Sequence, residues 1–317
     1  MSLGYLVRRL ASVLLVLLIV SFAVFVITLI LPGNAAVMIL GEYATEDQLL
    51  AMAETLGLNR PWYVQYLDWI GNILQGDWGM SLRLSLPVSE VVGAAFINSV
   101  WLALTALVTV TVVAIPLGMI AALRRGTLAD LGIGLMAYLG AAMPEFVTAT
   151  LLLVFLADAA AAGFLPAGGF IAPSESFTGF LNHVILPAGT LSLILTAHIS
   201  RQVRSEMSDV LSSDYVRAAR LKGLRESTVI RRHVLPNSLA PAVAVISLDI
   251  GYLLGGIIVV EEIFAWPGLG RLLIYALENR DLPVIQAITL LLATVYALSN
   301  LLSDLVIAAL DPRVRYE

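Results

Sequence analysis

The chain has 317 residues, of which 59% are hydrophobic and 13% are charged, and its mean hydropathy is +0.92. A soluble core of this size could not bury so much apolar surface, so the composition predicts an integral membrane protein. The chain has no cysteine, which excludes disulfides and thiolate metal sites, and its histidines lack metal-ligand spacing. The net charge of -5 gives no indication of nucleic-acid binding.

Six apolar stretches are long enough to cross a hydrocarbon layer, which takes about 20 helical residues. They are 11–31, 99–123, 129–156, 181–200, 240–260 and 284–310. The first is longer than a cleaved signal and is expected to remain as a membrane helix. We predict an all-α membrane protein with an amino-terminal tail and first helix (1–31), an outer loop region with short helices (32–98), a five-helix core (99–310) containing an inner loop (201–239), and a tail (311–317).

The positive charge indicates the orientation of these helices. Fourteen of the 18 Lys and Arg residues fall on one side of the predicted crossings. Short loops rich in Lys and Arg stay in the cytoplasm, so both termini are predicted to be cytoplasmic.

The outer loop region contains signals for two short helices. Thr45 and Gln48 have the spacing of a capping box, and the helix they open should end at Gly57. Pro61 can open a second helix. This helix carries four aromatic residues, Trp62, Tyr63, Tyr66 and Trp69. They suit an anchor in the headgroup region, and contact with a delivered substrate is the alternative.

The basic segment 214–237 lies between apolar runs on the inner side. Ser213 or Asp214 can cap a helix over 215–222, and Gly223 supplies its left-handed stop. A helix this short is marginal alone, so we expect it to lie in a groove of a partner. Ala218 and Ala219 would permit close approach.

Other residues of this segment complete the prediction. Arg217, Arg220 and Arg225 could reach acidic groups of a partner. Ser227 can cap a further helix, after which Pro236 and Pro241 should bend the chain back toward the membrane. The alternative is a solvated basic loop, although charge bias requires neither the alanine pair nor the glycine.

Four blocks of sequence carry a family resemblance. Ala218-Ala219, Gly223 and Leu235-Pro236 have the order and spacing of the cytoplasmic coupling loop of ABC importer permeases. The other blocks are YLVRRL with LPGNAA, the outer-loop stretch LGLNRPWYVQYLDWIGNILQGDWGMSL, and VVEEIFAWPGLGRLLIYALENRDLPVIQA through NLLSDLVIAALDPRVRY. Over nearly its whole length the chain resembles permease subunits of the dipeptide, oligopeptide and nickel uptake group.

The resemblance implies a type I ABC importer permease fold in a bacterial or archaeal inner membrane. It also implies a second permease subunit, two ATPase subunits that bind ATP and Mg, and an extracytoplasmic substrate-binding protein. The general motif often has an acidic residue where this chain has Arg217. The residues that would contact the ATPase are Asp214, Tyr215, Arg217, Ala218, Ala219, Arg220, Gly223, Leu235 and Pro236.

The chain lacks a nucleotide-hydrolysis motif of its own. A P-loop needs Gly-Lys-Ser/Thr, and the sole lysine, Lys222, follows Leu221. Energy must therefore come from a partner or from an ion gradient, and we expect no enzymatic activity in this chain.

Three acidic residues within the predicted crossings are candidates for transport duty, because a charge there costs about 2.5 to 3.5 kcal/mol. Glu145 and Asp249 could line the pathway or bond to a neighbouring helix. Asp304 is nearer the inner end and should pair with an arginine or with the backbone.

The resemblance also points to a loop at the outer mouth, within 261–270. Trp-Pro-Gly in this loop makes a rigid turn with an interfacial ring. The candidate gate or docking residues are Glu261, Glu262, Trp266, Pro267 and Gly268. Asp158 lies at another outer boundary.

These observations favour a permease subunit that forms half of the pathway for di- or oligopeptides or related solutes. A stand-alone ion-coupled carrier or channel is the alternative, and a membrane anchor for an enzyme complex is a third possibility. The sequence leaves dipeptides, oligopeptides, nickel complexes, opines and glutathione open as cargo.

Overall fold

The computed structural model describes residues 3–30, 44–55, 57, 59–157 and 165–310. The LPGNAA block, Asp158, and the tail 311–317 with its two arginines lie outside the described residues, as do the bounds predicted at 31 and 32. Within the described chain the structure is helical, with a single isolated bridge between Met80 and Pro87 in place of any strand.

The helices follow one another with short connections. The amino-terminal half contains α1 (Leu3–Ile30), α2 (Glu46–Thr55), α3 (Trp62–Leu74), α4 (Val88–Leu123), α5 (Leu128–Ala142) and α6 (Glu145–Leu156). The remainder contains α7 (Phe177–Leu211), α8 (Asp214–Leu221), α9 (Glu226–Val229), a π-helical turn (Ile230–Val234), α10 (Leu235–Ile263), α11 (Leu269–Glu278) and α12 (Leu282–Leu310).

Four helices of the described chain are long and apolar enough to cross a membrane. They contain the segments Val7–Ile30, Val88–Leu123, Phe177–Leu211 and Leu282–Ala308. The pair α5 and α6 would supply a fifth crossing if it counts as one span.

The predicted crossing 129–156 consists of two helices and not of one continuous helix. The chain bends by 107° between α5 and α6, at Met143 and Pro144. Met143 is extended, with φ -89° and ψ 126°. The cause is Pro144, because the proline ring disfavours helical geometry at the residue before it and supplies no amide donor.

The main core lies where α4, α7 and α10 pack together. Leu102, Val110, Leu195, Ile199 and Ile257 are among its buried side chains. α4 and α7 also come close enough to require a glycine: a Cβ added at Gly118 would lie 2.6 Å from the carbonyl oxygen of Ser200. α4 and α7 are both long enough to cross a membrane, so this core lies between two membrane-length helices.

The first and last described helices pack against each other. Arg9 of α1 pairs with Asp304 of α12 at 2.6 Å, which confirms the prediction that Asp304 bonds to an arginine or to the backbone. Toward the other end of α1, Gln286 donates to the hydroxyl of Thr28 at 2.7 Å. α1 is thus fixed to α12 at two levels.

The two predicted outer helices are present. The amide of Thr45 donates to the Gln48 side chain and the amide of Gln48 to the Thr45 hydroxyl, which confirms the capping box. α3 begins directly after Pro61. Its aromatic face packs edge-on against Phe22 and Phe25 of α1, so at least part of this face is covered by protein.

Candidate functional site: the inner surface around α8

α8 is an amphipathic helix attached to the end of the bundle that the charge bias predicts to be the inner one. Val216 and Ala219 are buried in a cluster with Ala122 at the end of α4 and Met207 near the end of α7. Val229 and Val234 complete this cluster, which we call the inner cluster. α8 therefore packs against the ends of two membrane-length helices rather than lying free in solvent.

The opposite face of α8 is exposed. Asp214, Arg217 and Ala218 face solvent, Tyr215 is 46% exposed, and Leu221 is 84% exposed. Ala218 and Ala219 therefore lie on different faces of α8: Ala218 faces solvent, and Ala219 faces the inner cluster. An exposed leucine and tyrosine among arginines are features of a protein-binding surface.

The predicted stop of α8 is present at Gly223. Its φ is +77°, the amide of Gly223 donates to Arg220, and the amide of Leu224 donates to Ala219. These two bonds form a Schellman motif, which requires a left-handed residue. A Cβ at Gly223 would meet nothing within 4 Å, so backbone conformation and not space demands glycine.

The predicted caps differ from the observed ones. Ser213 occupies the N-cap position of α8, but its hydroxyl donates backward to Val210 instead of accepting from the helix. Ser227 is not a cap either, because α9 already begins at Glu226.

Arg220 is bound within the chain. Its guanidinium donates to both carboxylate oxygens of Glu226, at 3.1 Å and 2.6 Å. Hydrogen bonding to Arg220 lowers the pKa of the Glu226 carboxyl, and the same bonds raise the pKa of Arg220. The pair connects α8 to α9, so Arg220 supports the shape of the exposed surface.

The exit from this segment is helical. Leu235, which is half-buried, begins α10, and the exposed Pro236 lies in its first turn. Pro241 lies inside the same helix. The chain is therefore helical at both prolines, from the π-helical turn into α10.

A second ion pair fixes the inner end of α7, and sequence reasoning missed it. Arg204 donates to both carboxylate oxygens of Asp130, at 2.6 Å and 2.8 Å, while the Gly126 amide also donates to Asp130. The partners are 74 residues apart, and only the position of Asp130 in the first turn of α5 signalled a role.

Glu145 and Asp249 each contact a neighbouring helix of the bundle. Glu145 begins α6, directly after the break, and a Cβ added at Gly256 of α10 would lie 2.5 Å from its carboxylate. Asp249 lies midway along α10 and pairs with His198 of α7 at 3.3 Å. Sequence reasoning did not connect His198 with Asp249.

The outer motif is largely internal to the fold. Glu261 is fully buried and accepts hydrogen bonds from the Ser99 hydroxyl and the Gly270 amide, both at 2.6 Å. Trp266 is also fully buried, with its indole donating to Asn98. Gly268 is buried as well, and within the motif only Glu262 and Pro267 of the predicted set are exposed.

Comparison with known proteins defines the class. Residues 114–316 match the family described as binding-protein-dependent transport system inner membrane component, and residues 2–113 match the amino-terminal region of such membrane components. The chain belongs to this family. It is an ABC importer permease of the dipeptide and oligopeptide group, a transporter component and not an enzyme.

Individual relatives agree over nearly the full length. The glutathione transport system permease protein GsiC of Salmonella typhimurium strain LT2 is 39% identical over 99% of this chain and 100% of its own. GsiC of Escherichia coli strain K12 is 38% identical over the same shares. A solved amino acid ABC transporter, crystallised with histidines, aligns with TM-score 0.47 and 15% identity over 71% of this chain and 94% of its own.

Proposed function

We propose that the chain forms half of a membrane pathway for small peptides and is driven by ATPase subunits that bind the exposed face of α8. The observation that carries this proposal is the two-sided character of α8. Val216 and Ala219 are packed in the inner cluster, and Tyr215, Arg217 and Leu221 face outward.

The inner cluster offers a route for mechanical coupling. A partner that displaces α8 must displace the side chains packed on it, because packed apolar clusters deform little. Those side chains belong to the inner ends of α4 and α7, which in turn form the main core with α10. ATP-driven movement at α8 would thereby reach the helices that surround the pathway.

The proposed topology has six crossings with both termini in the cytoplasm. α10 supplies the sixth, since its 29 residues extend over about 43 Å, more than the roughly 30 Å hydrocarbon layer. The second half of the pathway comes from a second, similar permease. An external binding protein would dock at the outer mouth, where Glu262 and Pro267 are exposed on a rigid support.

Small peptides of the glutathione type are the proposed cargo. Support comes from the relatives named for glutathione transport, which align with 99% of this chain.

Cross-linking tests the role of α8. The natural chain has no cysteine, so Ala218→Cys introduces a single thiol on the exposed face. We expect a bifunctional thiol reagent to link Ala218→Cys to a cysteine placed in the ATPase subunit, while Arg124→Cys, exposed at the end of α4, gives no product. Equal linking at both positions would contradict the assignment.

Transport by the assembled complex tests the function. We expect vesicles containing the two permeases, the ATPases and the binding protein to accumulate labelled glutathione or a dipeptide only with ATP. Accumulation by vesicles that contain this chain alone would refute the proposal and favour an ion-coupled carrier.

A further inference from the structure

One face of α7 remains open in the middle of the bundle. Ile194, His198 and Arg201 have the spacing i, i+4, i+7, which places them on one helical face. His198 is exposed and the other two are half-buried, whereas the neighbouring Leu195 and Ile199 are buried in the main core. We call Glu145, His198 and Arg201 the polar strip.

Glu145 forms the outer end of the polar strip. It lines an open cavity of about 460 Å³ together with Ile194 of α7 and Val259 of α10. The cavity exists because α5 stops at the break and α6 departs at 107°. Gly256 provides the room for the carboxylate, since a Cβ there would lie only 2.5 Å from its nearest oxygen.

His198 forms the middle of the polar strip. Its Nδ1 lies 3.3 Å from Asp249, whose side chain is only 13% exposed, whereas the imidazole is 52% exposed. Asp249 therefore orients the ring from within the helix pair, and the ring is the group presented to the open side. An oriented imidazole can donate or accept a hydrogen bond through its other nitrogen.

Arg201 forms the inner end. Its guanidinium lies 5.4 Å from the centre of the Tyr138 ring on α5, and its Nε donates to the carbonyl of Ala197 at 3.2 Å. The strip thus has a carboxylate at its outer end and a guanidinium at its inner end. A charge in an apolar layer costs about 2.5 to 3.5 kcal/mol, and Glu145 lies within a predicted crossing, whereas Arg201 lies at the start of the predicted inner loop.

The length of the strip matches a short peptide. Ile194, beside Glu145, and Arg201 are seven residues apart, which is about 10 Å along a helix. An extended chain spans at most about 3.3 to 3.6 Å per residue, so about three residues cover this distance. The ends of a zwitterionic tripeptide would then meet opposite charges.

We propose that the polar strip is a contact site for zwitterionic peptides in transit, with the ammonium group at Glu145 and the carboxylate at Arg201. His198 contacts the peptide between them, held in place by Asp249. This inference rests on the proposed peptide-import function and assigns its intramembrane contacts.

Charge-blocked peptides test the two ends separately. In the reconstituted complex we compare uptake of trialanine, N-acetyl-trialanine and trialanine amide. Loss of one charge-assisted hydrogen bond should weaken the affinity for the peptide about tenfold or more. Glu145→Gln should lower trialanine uptake about tenfold and abolish its advantage over the N-acetyl form, while Arg201→Gln should abolish its advantage over the amide.

Matched controls are Glu54→Gln and Arg124→Gln, which remove the same charges at exposed positions outside the strip. They should preserve both preferences. Should a strip variant fail to assemble, Glu145→Asp or Arg201→Lys replaces it, and either must preserve the preference because the charge remains. Equal loss of uptake for all three peptides, or loss of preference in the charge-preserving variants, would overturn the proposal.

Thiol protection gives a readout independent of delivery by the binding protein. His198→Cys should react with a charged methanethiosulfonate, and saturating trialanine should slow the reaction severalfold. Ile185→Cys, exposed elsewhere on α7, should react at a rate that trialanine does not change. Unchanged labelling of His198→Cys would refute the strip even if ATP-dependent uptake is intact, whereas failure of the proposed function appears as no ATP-dependent uptake by the natural complex.

Discussion

Arg204 of α7 donates two hydrogen bonds to the carboxylate of Asp130 on α5, at 2.6 Å and 2.8 Å. The Asp130 side chain is only 9% exposed, so removing its partner would leave a buried carboxylate without its counter-charge. This pair holds the beginning of the broken segment against α7, close to the inner cluster.

Arg204→Gln should therefore destabilise the protein by about 1 to 3 kcal/mol, because an uncompensated buried acceptor is costly. Thermal unfolding in detergent measures the effect. The control is Arg60→Gln, which breaks an ion pair with Asp68 whose side chains are 62% and 54% exposed. That change should cost less than about 1 kcal/mol, and an equal loss in both variants would contradict the importance of burial.

Gly223→Val should impair coupling. A β-branched residue in the left-handed region costs about 1 to 2 kcal/mol and would disrupt the Schellman end of α8. ATP-dependent uptake should fall while membrane insertion is unchanged. Lys222→Val introduces the same side chain at a neighbouring residue with φ -73° and should retain uptake. Gly223→Asn should restore part of it, because asparagine tolerates this conformation, and a fully active Gly223→Val protein would refute the prediction.

The pair of Arg220 and Glu226 should contribute little to stability, and only when Glu226 is ionised. The folded-state pKa of Glu226 is lowered by Arg220, so the contribution is present above the unfolded-state pKa and is lost as pH falls through the folded-state pKa. A double-mutant cycle of Arg220→Gln and Glu226→Gln should give less than about 1 kcal/mol, since both side chains are more than 40% exposed.

The same coupling energy should be constant between pH 5 and pH 8, about where a carboxylate with a lowered pKa stays ionised. Thermal unfolding of the four proteins at several pH values measures it. A coupling that rises steeply across this interval would contradict the direction of the pKa shift.

Gly118→Ala should separate α4 from α7. The added methyl group would lie 2.6 Å from the Ser200 carbonyl and 2.7 Å from Val203 Cβ, so the helices must move apart. Overpacking of this kind costs about 1 to 3 kcal/mol. Gly93→Ala on the same helix meets nothing within 4 Å and should be neutral or slightly stabilising, because alanine favours the helix. Unfolding temperatures of the two variants give the comparison, and a stable Gly118→Ala protein would show that the helices can separate freely.

Local chemistry made several features predictable from sequence. The capping box at Thr45 and the glycine stop at Gly223 depend on residues within a few positions of each other, and both are present. The break at Met143 and Pro144 was missed because an apolar run gives length but not direction. The bonds of Asp130 to Arg204 and of Asp249 to His198 join residues far apart in the chain, which a single sequence does not reveal.

The outer motif illustrates a related limit. Its turn was recognised from Trp-Pro-Gly, but the burial of Glu261 depends on Ser99, which lies 162 residues away on α4. The sequence alone could identify a rigid loop there. It could not show whether the Glu261 carboxylate is exposed to a partner protein or buried against α4.

The pairing of Arg9 with Asp304 has a consequence for biogenesis. α1 leaves the ribosome long before α12 has been synthesised, so Arg9 meets Asp304 only after almost three hundred further residues have been made. During that interval α1 can pack against α3 but not against α12. The contact between α1 and α12 is thus among the last in the bundle to form.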